Sequence, residues 1–252
     1  MTASSAAPRR VLVVPAAGRG SRLRASLPKA LVPVAGRPML GWLADLYRPW
    51  VSAVVVVAQP SARDALRGVL AESGVRPVVA VQPEPTGMLD AVSLGCAAAR
   101  PLSPDRVWVT WCDQVAVRAE TIGRMARAEP ETAIAFPVIA RAEPYIHFDR
   151  DASGRIVGVR QRREGQAMPD RGESDMGLFS LSPTAAFDQL PDFARTAVAD
   201  GATGERNFLP FIPWVARTAP VLTLPGTDPL EAVGINTPAE LAQVEAYLSR
   251  RH

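Results

Sequence analysis

The chain has 252 residues, of which 48% are hydrophobic and 21% are charged, and its formal net charge is +3. This balance excludes a disordered chain, and the absence of any apolar run near 18 residues argues against a membrane-spanning helix. The arginines are scattered and aromatic residues make up 6% of the chain, so neither a nucleic-acid-binding surface nor a membrane partner is indicated.

Short apolar runs alternate with segments of helical periodicity in the first 140 residues. We expect a flexible tail over 1–9, with no apolar segment of a secretory signal after it and therefore a cytoplasmic protein. The apolar runs predict buried strands at 10–16, 54–58, 77–81, 107–111 and 132–138. The periodic segments predict helices at 39–47, 62–72, 88–99 and 120–128. This alternation is typical of an α/β protein whose mostly parallel sheet has helices on both faces.

The pattern changes after residue 140. Residues 149–154 are rich in turn formers between two apolar stretches, which predicts a β-hairpin. Further expectations are a polar, mobile loop over 161–174, a strand over 176–181, a helix that begins near Pro183 and a last helix over 241–248. No internal repeat is present, so one domain over 10–252 is expected.

The chain contains few histidine and cysteine side chains, which limits the catalytic and metal-binding sites it could form. With only His147 and His252, a histidine-rich metal site is not available, and any metal ion must be held by oxygen. Cys96 and Cys112 lie in apolar segments and are interpreted as buried thiols. Of the 28 basic residues, 27 are arginine and one, Lys29, is lysine. Since lysine is a compact point charge and arginine a planar fork, this single lysine is a candidate functional residue.

A glycine-rich turn follows the first predicted strand. Gly18 and Gly20 allow the backbone to turn sharply and to bring amide donors close to phosphate. The dinucleotide-binding fingerprint is incomplete because position 23 is leucine, and the P-loop pattern of Gly-Lys-Ser/Thr is absent. The turn therefore predicts a phosphate-binding loop of another kind.

The residues around this turn carry a family resemblance. Residues 15–40, PAAGRGSRLRASLPKALVPVAGRPML, resemble the signature of the nucleotidyltransferases that build nucleoside-diphosphate sugars, AAGxGxR followed by PK. The spacing is similar to that of the uridylyltransferase domains acting on N-acetylglucosamine 1-phosphate. The resemblance implies a three-layer, Rossmann-like mixed sheet of the nucleotide-diphospho-sugar transferase type. It also implies a nucleotide-binding half over 10–140 and an acceptor-binding half over 141–252.

Two later segments resemble the same family in the same order. Residues 107–113 resemble the strand whose final aspartate ligates magnesium, and residues 233–238 resemble a GVN segment whose asparagine supplies a second oxygen. Mg²⁺ is accordingly the implied cofactor. The implied site comprises Arg22 and Lys29 as catalytic residues; Asp113 and Asn236 as metal ligands; Ala16, Ala17, Gly18, Arg19, Gly20, Ser21, Gln82, Thr86 and Gly87 for the nucleotide; and His147, Gln161, Asp175 and Gly177 for the acceptor.

The implied reaction transfers a nucleoside monophosphate from a nucleoside triphosphate to a small phosphorylated acceptor, such as a sugar 1-phosphate, and releases pyrophosphate. The segment 82–88 departs from the family because Pro85 and Met88 stand in the base-reading region, so the base remains open. Alternatives are a cytidylyl- or guanylyltransferase acting on a cyclitol, alcohol phosphate or phosphonate, and a catalytically silent nucleotide-binding protein. A homo-oligomer is compatible with the sequence.

Overall fold

The computed structural model describes residues 7–18, 23 and 27–250. Its strands, in chain order, are β1 Arg10–Pro15, β2 Pro33–Val34, β3 Arg37–Pro38, β4 Ala53–Ala58, β5 Pro77–Val81, β6 Arg106–Thr110, β7 Ile134–Ala142, β8 Ile146–Arg150, β9 Ile156–Gln161, β10 Arg171–Asp175, β11 Leu178–Leu181 and β12 Val221–Pro225. Its α-helices are α1 Met39–Tyr47, α2 Arg63–Glu72, α3 Met88–Ala99, α4 Ala119–Ala128, α5 Leu190–Thr196, α6 Phe211–Ala216 and α7 Pro238–Ser249.

A mixed, mostly parallel sheet forms the centre of the molecule. Within the described residues it has eight strands, in the order β10, β7, β11, β6, β1, β4, β5, with β12 pairing with β7. The pairs β6–β1, β1–β4, β4–β5 and β7–β12 are parallel. Strand β11 is antiparallel to both β6 and β7, and β10 is antiparallel to β7. The carboxyl ends of β1, β4, β5 and β6 therefore meet at one edge of the sheet.

Helices cover both faces of this sheet, as the sequence pattern predicts. Side chains of a strand alternate between faces, so Leu12 and Val14 of β1 pack with α1, α2, α4 and α7, whereas Val11 and Val13 pack with α3, α5 and α6. Because both faces are buried, β4 and residues 11–15 of β1 are continuous apolar runs, and every residue of the two strands is buried. The result is a three-layer, Rossmann-like arrangement.

A buried charge network fixes β6, the strand that leads to the candidate metal ligand Asp113. Glu129 is 1% exposed and accepts hydrogen bonds from Arg10 Nε at 2.7 Å, from Trp108 Nε1 at 2.7 Å and from Ser180 Oγ at 2.5 Å. Arg106 Nε lies 3.8 Å from the same carboxylate. Since a buried carboxylate is tolerated only when it is paired and hydrogen-bonded, these contacts satisfy Glu129 and join β1, β6 and β11.

The sequence pattern predicted the first half of the chain well and the second half less completely. The five strands and four helices expected before residue 140 are present, with ends that differ by up to four residues, and the hairpin is β8–β9. Segment 161–174 is not a loop throughout, because most of β10 lies in it. Strand β12 and helix α6 were not predicted. None of the described helices has both the length and the apolar composition needed to span a bilayer.

Candidate active site

A large cavity opens at the edge of the sheet where β1, β4, β5 and β6 end. It encloses about 930 Å³ and is bounded by the loops that follow these four strands, together with residues from the second half of the chain. Ligands bind at this edge in open α/β sheets because the loops and helix starts gather there. The residues of its wall that were expected from the sequence are Ala17, Gly18, Lys29, Gln82, Thr86, Gly87, Asp113 and Asn236.

The single lysine of the chain lies at the centre of the polar wall. Its Nζ atom donates to Asp113 Oδ2 in a short hydrogen bond and to Asn236 Oδ1 at 2.7 Å. The side chains of Lys29 and Asp113 are 14% and 13% exposed, so this ion pair is only partly screened by water. Asp113 and Asn236 follow Lys29 by 84 and 207 positions in the sequence, and the fold brings the three side chains together.

Local structure holds each member of this group in place. Lys29 begins a 3₁₀ turn that ends at Leu31, and the fully buried Ala30 anchors that turn in the core. Asp113 is the third residue after the end of β6, and its carbonyl accepts a hydrogen bond from Ile235 N at 3.2 Å. That bond joins the loop after β6 to the segment before α7, which carries Asn236.

Asn236 is positioned by the start of helix α7. Thr237 is the N-cap residue and accepts from Glu240 N, while the Glu240 side chain accepts from Asn236 N at 2.8 Å and from Thr237 Oγ1 at 3.0 Å. This reciprocal arrangement is a capping box, with Pro238 at the first helical position. A side chain at Gly234 would lie 3.3 Å from Asp113 Oδ2, so glycine at this position leaves room around the carboxylate.

The donor chemistry of this group fits a hard divalent cation. A carboxylate oxygen and an amide oxygen converge on one positive charge, the Lys29 ammonium, and oxygen is the ligand that Mg²⁺ prefers. Two protein oxygens are few, but Mg²⁺ usually keeps several waters and takes phosphate oxygens as further ligands. Within the described residues no cluster of three or more histidine, cysteine or acidic side chains could hold a metal ion. Asp113 and Asn236 supply two oxygens at one point of the wall that could bind Mg²⁺ together with a nucleotide.

The described part of the glycine turn borders the cavity beside this group. Ala16 N donates to Val57 O at 2.7 Å and Gln59 Nε2 donates to Ala17 O at 2.8 Å, so neighbouring β4 fixes the start of the turn. Among the described residues, apart from its chain neighbours, none has an atom within 4 Å of a Cβ built on Gly18. The candidate residues Arg19, Gly20, Ser21 and Arg22 lie outside the described residues.

The expected nucleobase segment forms another part of the wall. Gln82 is 6% exposed, its N donates to Ala58 O at 2.8 Å, and its Nε2 lies 3.4 Å from Thr86 Oγ1. Gly87 has a φ of +130°, and a Cβ there would lie 2.4 Å from Arg206 O. Only glycine fits this close approach, which is a structural reason for Gly87 independent of any contact with the base.

The four expected acceptor residues lie outside the wall that the described residues form. His147 on β8 accepts from Glu173 N at 3.1 Å through Nδ1, and Gly177 has a φ of +68° next to Trp111 and Gln114. Gln161 is buried, and its Oε1 accepts from Asn207 Nδ2 at 2.5 Å. Each of these residues therefore has a structural partner, and a role toward the acceptor stays a prediction.

Asp175, the fourth of them, is a buried carboxyl group behind the cavity wall. Burial raises its pKa to about 6, against the effect of hydrogen bonds from Gly177 N at 2.8 Å and from the side chain of Trp111. Trp111 lines the cavity, so Asp175 contacts the site through that ring. The charged form of Asp175 is thus disfavoured in the folded protein.

This raised pKa predicts a pH-dependent stability. Between about pH 4 and pH 6 the folded state binds a proton that the unfolded state releases, so Asp175 lowers the free energy of unfolding as the pH rises through this window. Replacement by asparagine removes the titration. The stability of Asp175→Asn relative to the unaltered protein should therefore rise by up to about 3 kcal/mol from pH 4 to pH 7 in urea unfolding. A difference that stays constant across this range would contradict the assignment.

The sequence reasoning missed part of the wall. Trp111, Arg163 and the segment Thr203–Glu205 also line the cavity. Trp111 directly follows β6 and precedes Asp113 by two residues, so its position was available from the strand. Arg163 lies close to Arg160 and Arg162 in the sequence, which by itself indicates no role, and the pairing of distant segments that places it here could not be read from the sequence.

Comparisons with known proteins find similar sequences over most of the chain. The sequence model of one protein family, the MobA-like NTP transferase domain, matches residues 12–174 of this chain. The Bifunctional protein GlmU of Azotobacter vinelandii is 30% identical over 247 residues, and that of Burkholderia thailandensis is 28% identical over 244 residues. Each alignment covers 95% of this chain and 52% of the relative. The chain thus spans about half the length of the curated relatives it matches.

Proposed function

The chain belongs to the family of MobA-like NTP transferase domains, and on this basis we propose that it transfers a nucleoside monophosphate from a nucleoside triphosphate to a small phosphorylated acceptor. The family makes it a nucleotidyltransferase. The acceptor class, a sugar 1-phosphate or a similar phosphomonoester, is the proposal. The observation that carries it is the convergence of Lys29, Asp113 and Asn236 on one cavity at the carboxyl edge of the sheet.

The reaction that fits this wall is an in-line displacement. A phosphate oxygen of the acceptor forms a bond to the α-phosphorus, the bond from that phosphorus to the bridging oxygen breaks, and pyrophosphate leaves with the electron pair. Transfers of this kind depend on positioning and charge neutralisation more than on acid-base chemistry. The described residues of the cavity wall include no histidine, which is consistent with a reaction that depends little on acid-base chemistry.

Charge repulsion is the main obstacle that the protein must offset. Two unit negative charges 4 Å apart repel by about 4 kcal/mol at an effective dielectric of 20, and the two substrates carry several charges each. Lys29 binds phosphate oxygens in place of Asp113, because its flexible stem lets the ammonium move from one anion to the other. Backbone amides of the turn at Gly18 supply fixed dipoles toward the triphosphate.

Mg²⁺ is the proposed cofactor, and it would be held by Asp113 and Asn236. When bound, it neutralises phosphate charge and polarises the phosphorus–oxygen bonds. The Lys29 ammonium lies at the point where the two oxygens converge, so the protein itself supplies a counter-charge for Asp113. We expect Lys29 and the metal ion to share this end of the cavity once phosphates are present.

A substrate screen tests the proposal. Each of the four ribonucleoside triphosphates is combined with Mg²⁺ and a panel of sugar 1-phosphates, alcohol phosphates and phosphonates, and released pyrophosphate is measured. We expect release that requires one triphosphate and one acceptor together. Triphosphate binding without release in any combination would contradict transfer and support a nucleotide-binding protein instead.

A further inference from the structure

The cavity wall contains a second cationic side chain that the proposed reaction has not used. Arg163 lies in the 3₁₀ turn Arg162–Glu164, directly after β9, and lines the same cavity as Lys29. Among the described residues of the wall, Lys29 and Arg163 are the two that carry positive charge. Two anionic substrates must be accommodated there, and Lys29 is held among Asp113, Asn236 and the expected triphosphate.

Arg163 forms an ion pair with Glu205, a residue of the cavity wall from another segment. Its Nη1 lies 3.1 Å from Glu205 Oε2, and both side chains are partly exposed, at 31% and 44%. This ion pair uses one corner of the guanidinium, which has five N–H donors in a planar fork. A second acidic residue, Asp200, also lies within electrostatic reach of Arg163. Hydrogen bonds, first of all from the backbone of Thr203, hold the pKa of Asp200 below its usual value, and the charge of Arg163 makes a smaller contribution in the same direction.

The segment that carries Glu205 is built on the expected nucleobase segment. Arg206 N donates to Thr86 O at 3.1 Å, Leu89 N donates to Arg206 O at 3.0 Å, and the Arg206 side chain donates to Asp90 at 2.7 Å. The ion pair between Arg163 and Glu205 therefore spans the gap between this segment and the turn after β9. Arg163 thus reaches the cavity wall from the second half of the chain, as Glu205 does.

The turn that carries Arg163 is itself held in place. Asn207 Nδ2 donates to Gln161 Oε1 at 2.5 Å and to Glu164 Oε1 at 2.7 Å, and Gln161 Nε2 donates to the same Glu164 atom at 3.0 Å. These bonds fix the residues on both sides of Arg163 while its own side chain stays partly exposed. A preorganised backbone below a partly exposed guanidinium favours binding of an anion from the cavity.

We propose that Arg163 binds the phosphate or phosphonate group of the acceptor, and that Glu205 occupies the guanidinium until the acceptor replaces it. The inference rests on the proposed function and adds a specificity-determining residue to it. Arg163 contacts the oxygens of the acceptor phosphate that do not attack, because a guanidinium fork matches two oxygens of a phosphate at once. Glu205 competes with the acceptor for this fork.

This competition predicts effects of opposite sign. Arg163→Ala should raise the KM for the acceptor at least about 10-fold, since a charge-assisted hydrogen bond is lost, and should leave the KM for the triphosphate unchanged. Glu205→Gln keeps the shape of the side chain but removes the competing charge, so it should lower the acceptor KM about threefold. In the double variant the effect of Glu205→Gln should disappear.

A purely structural ion pair predicts a different pattern. Both substitutions break the same pair, so both would then shift the acceptor KM in the same direction or not at all, and either result overturns the inference. Arg155→Ala is the matched control, because Arg155 forms an exposed ion pair with Asp151 at 3.0 Å away from the cavity wall. It should leave both KM values unchanged. If Arg163→Ala does not fold, Arg163→Gln replaces it, and a lower acceptor KM in Glu205→Gln still separates competition from a purely structural ion pair.

A binding measurement with inorganic phosphate separates this inference from the proposed function. Calorimetric titration should give weaker phosphate binding in Arg163→Ala and tighter binding in Glu205→Gln, whether or not transfer occurs. Absence of pyrophosphate release from the unaltered protein in the whole screen would remove the proposed function but not this result. If the unaltered protein releases pyrophosphate but both variants keep its phosphate affinity and acceptor KM, the proposed function stands and the proposed role of Arg163 is wrong.

Discussion

Replacement of Lys29 by alanine is expected to lower the turnover number at least about 100-fold, which corresponds to roughly 2.7 kcal/mol of lost transition-state stabilisation. The ammonium is the counter-charge that lies between Asp113 and Asn236, and it is the described group best placed to neutralise phosphate charge at that end of the cavity. The measurement is steady-state pyrophosphate release with the substrate pair found in the screen. The thermal unfolding midpoint should show that the variant is folded.

Two further variants make this test specific. Lys29→Arg keeps the charge but replaces a point charge by a planar fork, so its turnover should stay well below that of the unaltered protein. Arg63→Ala removes an exposed cation that pairs with Asp64 outside the cavity wall, and it should be fully active. Full activity of Lys29→Arg would mean that the reaction needs a positive charge at this position but not the shape of a lysine side chain. Full activity of Lys29→Ala would mean that Lys29 takes no part in the reaction.

The second large effect is expected for Asp113→Asn. The substitution keeps the size of the side chain but removes the negative charge that attracts a divalent cation, so the Mg²⁺ concentration for half-maximal rate should rise at least about 10-fold. The turnover number at saturating Mg²⁺ should fall about 100-fold or more. A titration of pyrophosphate release with MgCl₂ measures both quantities in one experiment.

The control for this variant is Asp188→Asn, because Asp188 is 68% exposed in its ion pair with Arg100 and lies outside the cavity wall. It should leave the Mg²⁺ titration unchanged. An unchanged titration in Asp113→Asn as well would mean that this carboxylate only pairs with Lys29. The short contact between Asp113 and Lys29 would then be a structural ion pair.

Much of the fold was predictable because local patterns and global architecture agree in the first half of the chain. Strands such as β4 are buried on both faces and are therefore continuous apolar runs, which differ clearly from a helix with one buried face such as α2. Strand β10 escaped prediction because its sequence, RGESD, is polar and its place beside β7 depends on pairing rather than on hydrophobicity. Helix α6 has Pro213 inside a short apolar run, so its sequence gives little helical signal.

In the candidate site, too, some residues could be predicted from the sequence and others could not. Lys29, Asp113 and Asn236 were found because each lies in a motif of the family, and strand order then explains why they meet. Arg163 and Glu205 belong to no such motif, and their contact joins segments 42 positions apart through a turn and an irregular loop. The composition argument about the single lysine identified the residue, whereas only the three-dimensional arrangement identifies its partners.

We propose that one cavity binds a triphosphate and a divalent ion between the glycine turn and the loop after β6. It is tested most directly by a crystal structure with a bound nucleoside triphosphate and Mn²⁺, whose anomalous signal locates the metal. We predict an anomalous peak bonded to Asp113 Oδ2 and Asn236 Oδ1, with the Lys29 ammonium moved onto phosphate oxygens. A peak elsewhere, with Lys29 still bonded to Asp113 and the triphosphate outside this cavity, would contradict the claim.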